Sequence, residues 1–255
     1  MATWKSASQK SRRASKSPKE AAPPLAVLNT PPSADEVQMM VEARARALDA
    51  LGFELRPKEL LEAFKRTSDH VDAVRLRVLE STKEKPACNK GCSWCCSHKV
   101  GATVPEVIAI VEHLRASPER LQIVRQRAAE LAKNPLIFSE SGKPRARIPC
   151  ALLEEDGSCG SYEVRPIPCR SWLSTDVESC KKHLDEKAEP KMVLGVVRSG
   201  HFIHLGLVKV MDDIQRFPYL VELTAGLDIA LNEPNAIERW LAGEPVFERA
   251  TSASR

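Results

Sequence analysis

Aromatic residues are scarce, making up 5% of 255 residues with only two tyrosines. A core in this chain must therefore rest on Leu, Val, Ile and Ala. No apolar run approaches the ~20 residues a membrane-spanning helix needs, so no membrane partner is expected. No Gly-rich nucleotide loop and no internal repeat can be recognised. An export signal is lacking too: Ser11-Arg12-Arg13 has the outline of a twin-arginine signal, but polar Ala14–Glu20 follows where an apolar region is required. A mitochondrial presequence would be amphipathic, which Pro23-Pro24 and Pro31-Pro32 fit poorly. The protein is expected to be cytoplasmic, with residues 1–32 a disordered, basic, Pro-rich tail.

Negative charge is what this tail has least of. Residues 1–20 carry six lysines and arginines against Glu20 alone, which is more than the whole net charge of +4. The remainder is close to neutral, so the folded part is not expected to carry a nucleic-acid-binding face. With 43% hydrophobic and 28% charged residues, the composition is that of an ordinary globular chain.

What the chain does have is cysteine in two groups. Cys88, Cys92, Cys95 and Cys96 fall within nine residues, and Cys150, Cys159, Cys169 and Cys180 follow at roughly ten-residue intervals. In a reducing compartment such thiols are metal ligands or catalysts more often than disulfide partners. A tetrahedral zinc site or an iron–sulfur cluster needs several thiolates converging on a few ångströms. The C-x3-C and C-x2-C spacings meet that need locally, and Gly91 permits the tight turn. The eight cysteines are therefore read as candidate ligands of an iron–sulfur cluster or zinc.

Adjacent Cys95 and Cys96 pose a geometric problem, because neighbouring side chains point in different directions. Either the pair serves two centres, or one sulfur binds while the other bridges, stays free or acts chemically. Thiolate charge also needs an offset, for which Arg165 and Arg170 beside Cys169 are candidates; the alternative is that each forms an ordinary ion pair. His98 is either a further ligand or a neighbour of the site. His201 and His204 are expected to be structural.

Helices are expected on both sides of the cysteines. Ser33-Ala-Asp-Glu36 has the form of a capping box, followed by Val37, Met40, Val41, Ala45 and Leu48 at helical spacing, with Gly52 as a stop. Pro57–Thr82 predicts a second helix with Leu60, Leu61, Phe64, Val71, Val74 and Val78 along one face. Thr103-Val-Pro-Glu106 starts a third, and Ser117-Pro118-Glu119 ends it and starts a fourth. A loop is predicted from Asn134 to Pro149 and little periodicity from Cys150 to Lys182. Met192–Val197 and Phe202–Val208 around Ser199-Gly200 read as a hairpin. Leu220, Leu223, Leu227 and Leu231 mark a helix, and Asn235–Leu241 a last one capped by Asn235. The fold class is thus mainly α with a small β-hairpin, an irregular cysteine-rich metal-binding centre being flanked by helices. A single helical domain is expected over 33–250, with the cysteine region at 88–180.

Two resemblances rest on the cysteines. Cys88-x3-Cys92-x2-Cys95, with Trp94 before the third cysteine, has the spacing of the radical-SAM cluster motif. That motif follows a first barrel strand in its own enzymes, whereas helices flank it here. More extensively, Cys88…Cys92-x2-Cys95-Cys96, Pro149-Cys150 and Gly157-Ser-Cys159-Gly-Ser-Tyr162-Glu-Val-Arg165-Pro166-x2-Cys169-Arg170 resemble the YkgJ-like CxxCxxCC cysteine-cluster family. The first gap is x3 where the signature has x2. This resemblance covers roughly residues 88–180 and implies a zinc- or iron-chelating domain. A related cluster occurs in flagellin lysine N-methylases, so the resemblance also admits cluster-dependent methyl transfer.

The expected function is metal binding, with two alternatives. One is a cluster-dependent enzyme of redox or S-adenosylmethionine type, resembling methyltransferases. The other is a zinc-stapled interaction or metal-handling module. The partner would be a protein or a small molecule.

Overall fold

The computed structural model describes residues 28, 30–52, 55–138, 148–186, 188–216 and 220–251. The expected disorder of the tail falls almost wholly outside them, as do 139–147 of the expected loop. The described residues are mainly helical, with one two-stranded antiparallel sheet among them. Helix α1 (Ala34–Leu51) begins at the predicted capping box, Ser33 and Glu36 each satisfying the other's backbone amide, and stops at Gly52. Helix α2 (Pro57–Thr82) follows, then β1 (Gly101–Ala102), α3 (Val104–Arg115) and α4 (Pro118–Ala132). Helices α5 (Ile167–Ser171) and α6 (Val177–Glu186) lie within the cysteine region. Helix α7 (Leu194–Asp213), β2 (Val221–Glu222), α8 (Leu223–Asn232) and α9 (Ala236–Leu241) complete the order.

Helix α7 replaces the predicted hairpin. Its buried side includes Val196, Val197, Phe202, Ile203, Leu207, Val210 and Met211, while Arg198, His201, Leu205, Val208, Lys209 and Asp212 are less buried along one face. Leu205 and Val208 on that outer face extend the apolar runs, and short apolar runs are ambiguous between helix and strand. The glycine read as a turn instead permits close helix packing. A Cβ on Gly200 would sit 2.2 Å from Ser171 Cβ on α5. A Cβ on Gly206 would sit 2.4 Å from the Met40 carbonyl oxygen of α1. The hairpin that does exist in spatial terms joins β1 to β2, with Gly101 opposite Glu222 and Ala102 opposite Val221.

The same close approach corrects the buried face of α1. Ala43, Ala47 and Leu51 are buried, whereas predicted Val37 and Val41 are 39% and 51% exposed. Small residues win this face because α7 runs against it at Gly206. On α2, Leu60, Phe64, Val71 and Val74 are buried as predicted. On α4, Val124 and Ala128 are buried, with Leu121 and Leu131 packed beside them. Asn235 precedes α9 in a left-handed conformation and makes no side-chain cap, so that helix starts without the predicted hydrogen bond.

Beneath the cysteines, Glu106 ties three elements together. Its Oε2 accepts from Thr103 N at 2.6 Å and Thr103 Oγ1 at 2.9 Å, closing the box that starts α3. Its Oε1 accepts from Ile167 N at 2.8 Å, the first residue of α5. His204 Nε2 on α7 lies 3.0 Å from Oε2. The carboxylate is fully buried.

Candidate metal centre

Two tight turns join the cysteine groups. Cys92 N donates to Asn89 O at 3.0 Å, closing the first turn, with Gly91 at φ +87°. Gly157 at φ +77° closes the second, its N donating to Glu154 O at 3.0 Å. They pack back to back: a Cβ on Gly157 would lie 2.7 Å from Gly91 O. Only glycine combines that approach with a left-handed φ. Cys150 N donates to Cys96 O at 2.8 Å, a second backbone link between the groups.

Helix α4 anchors the second group. Arg127 Nη1 donates to Leu153 O at 2.7 Å, while Arg120 donates to Gly160 O and to Glu154 Oε1, the latter at 3.0 Å. Ala151 and Leu152 bury their side chains in the main core. Cys159 pairs with Leu153 in an isolated antiparallel bridge, and Cys169 rides on α5. The region from Cys150 to Lys182 is therefore more regular than its composition predicts, with α5 and α6 both inside it. Asp176, which accepts from Glu178 N at 3.0 Å, is the cap signal that marks α6.

The structure brings all cysteines except Cys180 to the wall of one cavity of about 950 Å³. None of the eight is in a disulfide. Cys180 is buried on α6 and does not line that cavity; burial raises its thiol pKa, with Ser174 acting against it. Ser174 N in turn donates to Cys88 Sγ at 3.4 Å. Among the described residues, no three His, Cys, Asp or Glu side chains are already drawn into a metal-holding group. Seven of the cysteines nevertheless share one cavity.

Cys95 and Cys96 lie in the 3-10 turn Trp94–Ser97, where Cys96 N donates to Ser93 O at 2.9 Å. Interaction with the Cys96 thiol lowers the Cys95 pKa to about 7, against burial and with help from Arg165. Cys96 is driven up by the same neighbour and by burial. Burial, followed by Cys150, Cys95 and Cys159, pushes Cys169 well above the usual thiol range. Burial also raises Cys92, Cys159 and Cys180. Packed thiols resist charging one another, and a bound cation is what reverses that resistance.

The two arginines separate in role. Arg170 is 7% exposed and bonds to Asp72 Oδ2 at 2.7 Å, to Arg165 O at 3.1 Å and to Glu163 O. It follows the ion-pair reading and clamps α5 to α2. Arg165 lies over the Tyr162 ring, 4.1 Å from its centroid, and its charge lowers the pKa of Cys95, Cys159 and Cys169. It is one of several cations lining the cavity, and Arg120 also acts on Cys159. His98 packs edge-on against Trp172 and His183, with centroids 5.1 and 5.0 Å away. These rings tie the cysteine turn to α6. His204 contributes the buried contact to Glu106, and His201 stacks on Phe202 at 5.3 Å.

Sequence reasoning missed Ser174, Arg120 and the second role of Glu106. Thr103-x-x-Glu106 signals a capping box, but nothing local signals that the same carboxylate reaches α5 and α7.

Residues 87–190 match the CxxCxxCC family model, described as a putative zinc- or iron-chelating domain. No curated protein and no solved structure matches the chain. The matched span contains all eight cysteines, and its description agrees with iron or zinc as the expected metal. The donor set fits such a group: cysteines outside any disulfide, seven on one wall, with Arg165 to offset their charge. No helix among the described residues is long and apolar enough to cross a membrane.

Proposed function

We propose that residues 87–190 form a metal centre in which cysteines from 88–96, 150–159 and 169–180 hold iron, as an iron–sulfur cluster, or zinc. One observation carries this: thiols up to 81 residues apart, Cys88 and Cys169, line one cavity. Such convergence supplies soft donors that select zinc or iron over hard cations. The motifs quoted above support a resemblance to the YkgJ-like proteins within the matched family. That none of the eight cysteines is in a disulfide supports a cytoplasmic location.

A second reading, a cluster-dependent enzyme, is favoured by the size of the cavity. About 950 Å³ is the scale of a small-molecule site rather than of a closed structural ion. Arg75, His113 and Leu223 line it beyond the cysteine segments, leaving room for a small-molecule partner. A structural site is saturated by four protein ligands, whereas a catalytic one keeps a position open.

Anaerobic purification followed by iron, sulfide and zinc quantification tests the proposal. Stoichiometric iron with sulfide, or stoichiometric zinc, is expected. Protein that retains neither metal, and takes up neither when reduced and loaded, contradicts it.

A further inference from the structure

We propose that the cavity beside the cysteines takes a small organic oxyanion, a carboxylate or a phosphate ester, held by Arg75 and Arg165. This rests on the reading of that cavity as a small-molecule site and names the chemical class of its occupant.

The wall carries more positive than negative charge. Arg75, Lys90, Lys99, Arg120, Arg165 and Arg170 line it, against Glu154 and Glu163. Two of these cations are engaged within the protein. Arg120 donates to Glu154 Oε1 at 3.0 Å, which occupies one of the two carboxylates. Arg170 Nη1 donates to Asp72 Oδ2 at 2.7 Å, a carboxylate from outside the lining. The Arg75 side chain, by contrast, makes no hydrogen bond or ion pair among the described residues. Arg165 Nε is buried and has no hydrogen-bond partner among them either.

The two guanidiniums belong to one stretch of wall. Arg75 lies one turn of α2 beyond Asp72, on the same face of that helix. Asp72 holds Arg170, whose Nε donates to Arg165 O at 3.1 Å. The Arg165 guanidinium stacks over the Tyr162 ring, 4.1 Å from its centroid. Stacking covers a face of the guanidinium and leaves its N–H edge, which grips the paired oxygens of a carboxylate or phosphate. A bare ion would not fill about 950 Å³. Val100, Leu152, Trp172, Leu173 and Leu223 line the same cavity, so the occupant carries an apolar body behind its charged head.

The reduced full chain is titrated calorimetrically at low salt, where charge is least screened, and its metal content is measured on the same sample. The probes are phenyl phosphate, benzoate and benzyl alcohol, which share an aromatic body and differ in the head. At least one of the two anions is expected to bind at one equivalent, and the tighter of them assigns the head group. Benzyl alcohol is expected to bind at least about tenfold more weakly. Arg75→Gln and Arg165→Gln are each expected to weaken the anion about tenfold, with helical content unchanged by circular dichroism. Arg75→Gln is further expected to keep the metal content of wild type. Failure of both anions to bind overturns the inference, and metal retained in that sample leaves the metal centre standing. Equal binding of benzyl alcohol overturns it too, while leaving a small-molecule site. An anion affinity unmoved by both substitutions also overturns it.

Discussion

His204 Nε2 stands 3.0 Å from Glu106 Oε2 at the buried base of the cysteine region. Because the other carboxylate oxygen accepts from Ile167 N, this pair supports the start of the helix that carries Cys169. The position of a candidate ligand therefore depends on a contact between α3 and α7.

Removing the carboxylate should be costly. Glu106→Ala leaves His204, Thr103 and Ile167 without their acceptor in a dry interior. Breaking one side of a buried pair typically costs about 3–5 kcal/mol. Urea denaturation is expected to show a loss of about 3 kcal/mol, and a loss below about 1 kcal/mol would contradict this role.

Acid should weaken the same contact. Burial raises the Glu106 pKa, but His204 and the amides of Ile167 and Thr103 outweigh it, leaving the value below the ordinary 4.5. A depressed folded pKa contributes stability that is present above the unfolded value and lost as pH falls through the folded one. The stability difference between wild type and Glu106→Gln is therefore expected to narrow as pH falls below 4.5. Denaturation curves at graded pH check this; a difference independent of pH contradicts it.

Gly157→Ala should loosen the joint between the cysteine groups. The new Cβ would lie 2.7 Å from Gly91 O, on a residue held at φ +77°. The left-handed conformation alone costs about 1–2 kcal/mol for a non-glycine residue. Zinc affinity, measured by competition with a chelator, is expected to fall about tenfold, matching roughly 1.4 kcal/mol. Unchanged affinity would show that the two turns need not pack for ligation.

Gly200→Val should separate α5 from α7, because the added Cβ begins 2.2 Å from Ser171 Cβ. Overpacking of this kind costs about 1–3 kcal/mol. Thermal unfolding is expected to shift downward accordingly. A neutral result would mean that the helices do not pack closely there.

Much of this architecture was legible in local chemistry. The boxes at Ser33 and Thr103 and the prolines at 57 and 118 mark helix starts that the structure reproduces. Cysteine spacing marked the candidate site, and seven of the eight residues meet on one cavity. What failed was tertiary in origin. Gly200 reads as a turn because its reason for being glycine, Ser171, lies 29 residues away in the chain. Val37 and Val41 fit a helical stripe, but the approach of Gly206 selects alanines for the buried face of α1. Likewise, Cys95 and Cys96 sit in a 3-10 turn that no periodicity reports.

Metal removal should be felt first in the cysteine region, where α5 has five residues and turns predominate. Ligand binding there is folding energy. Limited proteolysis after chelation is expected to cut within 88–180 before cutting α1, α2 or α7. Cleavage rates unchanged by chelation would contradict it.

X-ray absorption at the metal edge reads the ligands directly. Sulfur scatterers at about 2.3 Å are expected for zinc, or sulfur with a neighbouring iron shell for a cluster. A first shell of nitrogen and oxygen alone, at about 2.0–2.1 Å, would show that these cysteines meet for some other purpose.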